Sequence, residues 1–193
     1  MRAAGIGVAV AAGIALAASG RVVEGNPASM VRVVVYEDLQ CSDCAVFRKM
    51  MDTALLPKYG KDVAFEHRDF PLAKHAWAKP AAIAARFFDE AGPKVGVEWR
   101  RVTMAQHKAI TAEAFEKHLR AFATEWKIDA AKAVAALADG RLAKLVEADL
   151  EEGVARGVAR TPTVFVDGEP FVEPAAPDEI ARAIESALAR TRK

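Results

Sequence analysis

Residues 36–48 read Tyr-Glu-Asp-Leu-Gln-Cys-Ser-Asp-Cys-Ala-Val-Phe-Arg, and they contain both cysteines of the chain, Cys41 and Cys44. An apolar, β-branched run from Val31 to Tyr36 leads into this stretch and predicts a buried strand. Apolar residues at helical spacing follow the cysteines and predict a helix over about 42–56. The two cysteines therefore fall where a strand turns into a helix, with Cys41 at the helix start and Cys44 one turn inside.

This position favours redox chemistry at the cysteine pair. The first N–H groups of a helix lack partners within the helix, and the helix dipole is positive there. Both features stabilise a thiolate, the form of cysteine that attacks disulfides. The alternatives are half of a structural zinc site, or two buried apolar cysteines. Zinc usually takes four ligands, and the nearest histidines, His67 and His75, have no ligand-like spacing to a partner. We expect neither a metal nor another cofactor.

Length and charge limit the function classes. A chain of 193 residues, 52% of them apolar, suits one domain with room for an inserted subdomain. The formal net charge of +1 gives no indication of nucleic-acid binding.

The N-terminal residues 1–20 have the pattern of a secretory signal peptide. A basic start is followed by an uncharged apolar run and by Ala-Leu-Ala at 15–17, which predicts cleavage after Ala17. The alternative is an uncleaved N-terminal anchor, although the run is short for a bilayer span. Either interpretation predicts export to the periplasm or a similar compartment, where disulfides persist. Residues 21–30 are expected to form a polar leader.

The remaining patterns predict an order of β-α-β, a helical block, and then β-β-α. A second strand is expected over 62–67, parallel to the first through a right-handed crossover. A long helical region follows over 77–156. A third strand at 163–166, a hairpin turn at Asp167-Gly168, an edge strand at 170–172 and a last helix over 178–190 complete the chain.

This order resembles the thioredoxin fold, and in particular the DsbA-like family of exported thiol-disulfide oxidoreductases. The matching segments are 38–44 with the C-x-x-C pair, 68–72 with the following helix, and 160–168 with Thr161-Pro162-Thr163. The resemblance spans about residues 31 to 190. It implies an α/β thioredoxin-like domain over 31–193, with a helical insertion after the second strand at about 74–156.

The resemblance implies roles for four residues. Cys41 would be the exposed nucleophile and Cys44 the resolving cysteine. Pro162 would follow a cis peptide bond, which would place the Thr161 backbone beside the disulfide to pair with an extended substrate.

The sequence departs from the family at three places. The dipeptide between the cysteines is Ser42-Asp43 rather than Pro-His or Gly-Pro. Val35 stands where many relatives bury an acid that helps to move the proton of the resolving thiol. Glu37 and Asp38 could replace that acid, or they could be solvated turn residues. Arg160 stands where glycine is frequent. We expect Ser42, Asp43 and Asp38 to tune the redox pair, and Arg160 to bind substrate with Thr161 and Pro162.

The combined hypothesis is a disulfide oxidoreductase that exchanges disulfides with protein substrates, in the manner of a DsbA-like oxidase. The alternatives are a disulfide reductase or isomerase, or a redox-inert module that binds extended peptides in the same cleft. The expected partners are unfolded or partly folded exported proteins and a membrane or soluble redox partner. We expect a monomer that does not bind nucleic acid.

Overall fold

A six-stranded mixed sheet forms the centre of the structure, a computed structural model that describes residues 13–16, 21–172 and 177–192. The strand order is β1-β2-β4-β3-β5-β6. The strands are β1 (Gly13–Leu16), β2 (Val22–Gly25), β3 (Arg32–Glu37), β4 (Ala64–Asp69), β5 (Thr163–Val166) and β6 (Glu169–Val172).

The helices are α1 (Ser42–Met50), α2 (Leu56–Tyr59), α3 (Ala78–Ala91), α4 (Pro93–Ala105), α5 (Phe115–Glu125), α6 (Ala130–Ala135), α7 (Gly140–Ala155) and α8 (Pro177–Thr191). A π-helical segment, Met51–Leu55, joins α1 to α2. The sequence placed the end of the first helix near Pro57, but Pro57 lies in the first turn of α2. The π-helical segment directly before α2 already interrupts the α-helical hydrogen-bond ladder at this point, which allows a proline in a continuous helical run.

The strand β3 lies in the middle of the sheet and determines where the cysteines are placed. It pairs in parallel with β4, with Val33 opposite Phe65, and antiparallel with β5, with Val35 opposite Val164. Val33 and Val35 are fully buried. Since β3 is covered on both faces, its carboxyl end is held rigidly, and α1 begins only a few residues beyond it.

The predicted helical insertion is observed between β4 and β5, where α3 to α7 occupy residues 78–155. Its centre is aromatic: the ring centroids of Phe88 and Trp99 are 5.2 Å apart, and those of Trp99 and Phe122 are 5.1 Å apart. Cys41 and Cys44 belong to the same buried cluster as these rings. The helical block therefore closes over the cysteine end of the sheet.

The second strand begins two residues later than the sequence indicated, at Ala64 rather than Asp62. The alternation of residues that predicted this strand implied that one face of the strand is exposed to solvent. In the structure all six residues of β4 are buried, including the polar Glu66, His67 and Asp69. Ion pairs on both faces of β4 replace the solvent that the alternation implied, with Glu66 and Arg68 on one face and His67 and Asp69 on the other.

The polar leader expected over 21–30 is wrong for its first half, which forms β2. Val23 pairs with Glu66 of β4, and all four residues of β2 are buried. Two valines favour a strand here, and the one charged residue, Glu24, is buried against Arg48 and His67.

Only residues 13–16 of the predicted signal peptide or anchor lie within the described part of the chain. They form β1, which pairs antiparallel with β2. The rest of the prediction, including cleavage after Ala17, falls on residues that the structure does not describe. Within the described ranges, no helix is both long and apolar enough to cross a membrane.

Candidate active site

Cys41 and Cys44 lie at the amino-terminal end of α1, as the sequence predicted. Cys41 is the N-cap residue, with extended backbone, and its carbonyl accepts the first helical hydrogen bond from the Ala45 N–H at 3.1 Å. The Cys41 N–H donates to the Asp38 carbonyl at 3.0 Å, which fixes the turn out of β3. Both cysteines are free thiols.

The Cys41 thiol is held in surroundings that favour its thiolate. A hydrogen bond from the Cys44 thiol is the largest cause, and it outweighs the opposite effect of burial. The backbone N–H groups of Cys44 and Asp43 and the side chain of Thr161 add to it. Together they lower the pKa of Cys41 to about 5. The unpaired N–H groups of the first helical turn thus stabilise a thiolate, as expected for this position.

Cys44 has the opposite character. It is 1% exposed, and burial raises the pKa of its thiol well above the usual range. The neighbouring Cys41 raises that pKa further. The Asp38 N–H donates to the Cys44 Sγ at 3.4 Å. The expectation that Cys41 is exposed is wrong, because it is buried at 6% exposure. The two thiols therefore differ more in their pKa values than in their exposure.

The loop before β5 brings Thr161 and Pro162 to the cysteines. The Thr161–Pro162 peptide bond is cis, as the resemblance implied. The Cys41 thiol donates to the Thr161 carbonyl, with 3.3 Å between Sγ and O. Thr161 is buried in this loop.

Asp38 is not a solvated turn residue, because it is buried beneath the active-site turn. Its carboxylate accepts hydrogen bonds from the Gln40 N–H at 2.8 Å, the Leu72 N–H at 2.8 Å and the His75 Nδ1 at 2.7 Å. Asp38 thus ties the cysteine turn to the segment after β4, while its own backbone contacts both cysteines. This contact with His75 could not be inferred from spacing, since 37 positions separate the two residues.

The three other predicted site residues are exposed. Ser42 and Asp43 lie on the surface of the first turn of α1. The Asp43 backbone N–H, rather than its carboxylate, is among the main influences on the Cys41 pKa. Arg160 is exposed beside Thr161, and its guanidinium has no hydrogen bond or ion pair among the described residues. The Arg160 side chain therefore does not cap the helix α7 that precedes it.

A buried charged cluster behind β3 was missed by the sequence analysis. The ring of His67 lies between two carboxylates, with Nε2 2.9 Å from Glu24 and Nδ1 2.9 Å from Glu37. The Arg100 Nε lies 3.4 Å from Glu37, and Arg48 pairs with Glu24. Glu37 is thus a member of an ion-pair cluster and not a solvated turn residue. At the position of the family acid, Val35 is part of the apolar core.

No group of His, Cys, Asp and Glu side chains has the geometry of a metal site within residues 13–16, 21–172 and 177–192.

Comparison with known proteins identifies the family. A family model described as thioredoxin matches residues 17–186. The chain belongs to the thioredoxin family. The α/β thioredoxin fold predicted from the sequence is confirmed, and solved structures that share it include DsbA-type proteins.

Two of those structures show the likeness of fold. The alpha-DsbA1 structure of Wolbachia pipientis has a TM-score of 0.76 at 13% identity, covering 87% of this chain and 90% of that chain. BdbD of Bacillus subtilis has a TM-score of 0.75 at 22% identity, covering 93% and 98% of the two chains.

A curated relative is much longer. A Na(+)/H(+) antiporter NhaA of Herminiimonas arsenicoxydans is 30% identical over 146 residues. The match covers 76% of this thioredoxin-family chain and 22% of the antiporter. The chain therefore spans about a fifth of the length of that relative.

Proposed function

We propose that this protein is a thiol-disulfide oxidoreductase that exchanges disulfides with protein substrates through Cys41 and Cys44. The observation that carries the proposal is the asymmetry of the pair. Cys41 has a pKa lowered to about 5 and lies against the Thr161 carbonyl, whereas Cys44 is shielded and has a raised pKa. The thioredoxin-family membership supports the same activity.

The exchange takes place in two steps. In the oxidising direction, a substrate thiolate attacks Cys41 Sγ of the Cys41–Cys44 disulfide, and a mixed disulfide forms as Cys44 leaves as a thiolate and takes a proton. A second substrate thiolate then attacks the substrate sulfur of the mixed disulfide and releases Cys41 as a thiolate. The substrate loses two electrons and becomes a disulfide, and the protein gains them as a dithiol. No cofactor takes part in either step.

The low Cys41 pKa supports the oxidising direction. A stabilised thiolate favours the reduced protein, so that its disulfide is a stronger oxidant. A value of about 5 lies between the roughly 3.5 of a strong oxidase and the roughly 7 of thioredoxin. A redox partner, in the membrane or in solution, then restores the disulfide by accepting two electrons.

The surface around Cys41 supports the substrate-binding roles expected of Arg160, Thr161 and Pro162. The Thr161-Pro162 loop touches Cys41, and the exposed Arg160 adjoins it. An extended substrate segment placed along this loop brings its sulfur to Cys41, and Arg160 is free to bind its carbonyls. The substrates are unfolded or partly folded exported proteins, and the protein acts as a monomer. The signal-like pattern over 1–20 supports a periplasmic location.

Two assays test the activity. The wild type should speed the reoxidation of reduced ribonuclease A in a glutathione buffer, and Cys41→Ser should abolish this effect. Faster insulin reduction with no effect on reoxidation would support the reductase alternative. Inactivity in both assays, together with binding of extended peptides, would support the redox-inert module instead.

A further inference from the structure

A groove of about 540 Å³ lies between α1 and the end of α4, and the active-site chemistry described above does not use it. Its lining starts at Ser42, inside the C-x-x-C motif, and continues along α1 through Val46 and Lys49. The volume falls in the range of about 300–1,000 Å³ that is typical of ligand-binding sites. The groove therefore begins at the C-x-x-C motif and runs between α1 and the end of α4, which belongs to the helical insertion.

The groove combines an apolar strip with positive charge. Val46 is 69% exposed, which is unusual for a valine next to an active site, and Met104 lies behind it. Lys49 and Lys108 are exposed on the two sides, and neither ammonium has an ion-pair partner among the described residues.

The other charged groups of the groove do not neutralise these lysines. Asp52 is the one carboxylate in the lining, and it is already shared between two arginines that also line the groove. Its Oδ2 accepts from the Arg101 Nε at 2.9 Å, and its Oδ1 accepts from Arg101 at 2.8 Å and also from Arg48. The groove therefore has an excess of positive charge facing solvent.

We propose that this groove, whose lining does not include the Thr161-Pro162 loop, binds an acidic, partly apolar segment of the protein substrate. The proposal rests on the proposed function, since the segment arrives attached to a substrate cysteine. Its apolar side chains cover Val46, and its carboxylates pair with Lys49 and Lys108. Charge of this kind mainly raises the rate of association and selects among partners.

The test uses two dithiol peptides, each with the sequence Cys-Gly-Gly-Cys followed by a tail that contains either four Glu or four Lys. The measured quantity is the second-order rate at which oxidised protein converts each peptide to its disulfide. In the double variant Lys49→Glu/Lys108→Glu, we expect the ratio of the Glu-peptide rate to the Lys-peptide rate to fall roughly tenfold. About 1 M salt should remove most of the wild-type preference.

A matched control is Lys132→Glu/Lys144→Glu, which reverses two exposed lysines of the helical insertion outside the groove. In this control, the ratio of the Glu-peptide rate to the Lys-peptide rate should equal that of the wild type. Because the same peptides are used throughout, differences in their own thiol pKa values cancel in the comparison.

Three results would overturn the proposal in distinguishable ways. If both peptides are oxidised and the groove variant keeps the wild-type ratio, the groove does not select substrates, and the proposed function stands. If the wild type oxidises neither peptide, the proposed function fails and the groove proposal fails with it. If the ratio is unchanged but the groove variant no longer binds phosphatidylglycerol vesicles that the wild type binds, the lysines face lipid headgroups instead.

Discussion

At the scale of single residues, one helical turn separates two thiols with different chemistry. Cys41 caps α1 and receives hydrogen bonds from the Cys44 thiol and from backbone N–H groups. Cys44 lies one turn inside α1 and is 1% exposed, against 6% for Cys41. The unpaired backbone N–H groups at a helix start point towards the capping residue and stabilise its thiolate. Burial instead disfavours the charged form of the thiol that lies one turn inside the helix.

This difference predicts selective labelling of the reduced protein. Thiolate reacts with iodoacetamide, so the labelling rate of Cys41 should rise with pH through a midpoint near its pKa of about 5. Cys44 should remain unlabelled up to pH 8, because its pKa is raised by burial. Peptide mass spectrometry after timed quenching measures both rates. Equal labelling of the two cysteines at pH 7 would contradict the assigned roles.

A second prediction concerns Asp43, which carries a negative charge in the first turn of α1, two positions after Cys41. A like charge disfavours a thiolate, whereas the Asp43 backbone N–H favours it. Asp43→His keeps the N–H and removes the carboxylate. It should therefore lower the Cys41 pKa further and raise the reduction potential by some tens of millivolts, where about 30 mV is tenfold in the equilibrium constant.

Glutathione redox titration of both forms measures this change in potential. Asp62→His, which makes the same substitution at an exposed position outside the active site, is the control and should leave the potential unchanged. A lower potential for Asp43→His would show that the carboxylate does not destabilise the thiolate.

At the scale of elements, α7 packs closely against aromatic side chains of the active-site sheet, Tyr36 in β3 and Phe70 just after β4. A Cβ atom at Gly153 would lie 2.7 Å from the Phe70 ring and 2.9 Å from the Tyr36 ring. The two rings themselves form an edge-to-face pair, with 6.1 Å between centroids. Glycine at this point of α7 is therefore required by the close approach of the helix to aromatic side chains.

Two substitutions in α7 form a matched pair. Gly153→Ala should lower the free energy of unfolding by roughly 1–3 kcal/mol, because rings in a packed core must shift to admit the methyl group. Gly140→Ala, where a Cβ meets nothing within 4 Å, should be neutral or stabilise by up to about 1 kcal/mol through helix propensity. Urea denaturation compares them. Equal effects of the two substitutions would contradict the packing account.

At the scale of the whole molecule, the buried cluster around His67 joins β2, β3 and β4 to the helices α1 and α4. Burial alone would lower the pKa of His67, but the charges of Glu37 and Glu24 and hydrogen bonds to both raise it to about 9. Burial likewise acts to raise the pKa of Glu24, but hydrogen bonding to His67 and the charge of Arg48 lower it overall. At neutral pH, His67 is therefore a buried cation between two anions.

This cluster should make stability fall at alkaline pH. The pKa of His67 is raised from 6.5 to about 9 on folding. Its contribution is therefore complete below pH 6.5 and is lost as the pH rises through 9. The loss should be on the order of 3 kcal/mol. Urea unfolding at pH 6.5 and pH 9.5 measures it, and His67→Gln should show a much smaller loss. Parallel pH profiles for the two proteins would rule out His67 as the source.

The local sequence by itself determined most of the element order and the chemistry of the cysteine pair. The apolar run before Cys41 and the helical spacing after it placed the thiol at a helix start, because propensity and periodicity act over a few neighbouring residues. The Asp167-Gly168 turn predicted the β5–β6 hairpin for the same reason, and both residues have positive φ. The loop that meets the cysteines was implied by the resemblance to the DsbA-like family, through the Thr161-Pro162 motif.

Only the tertiary structure decided which charges are buried and what they contact. The β2 strand appeared to be a polar leader because Glu24 is charged, yet Arg48 and His67, 24 and 43 positions away, make its burial possible. The Thr161 carbonyl reaches Cys41 across 120 positions. A charged group is stable in the interior only where partners converge on it, and partners so distant in sequence converge only when the whole sheet has formed.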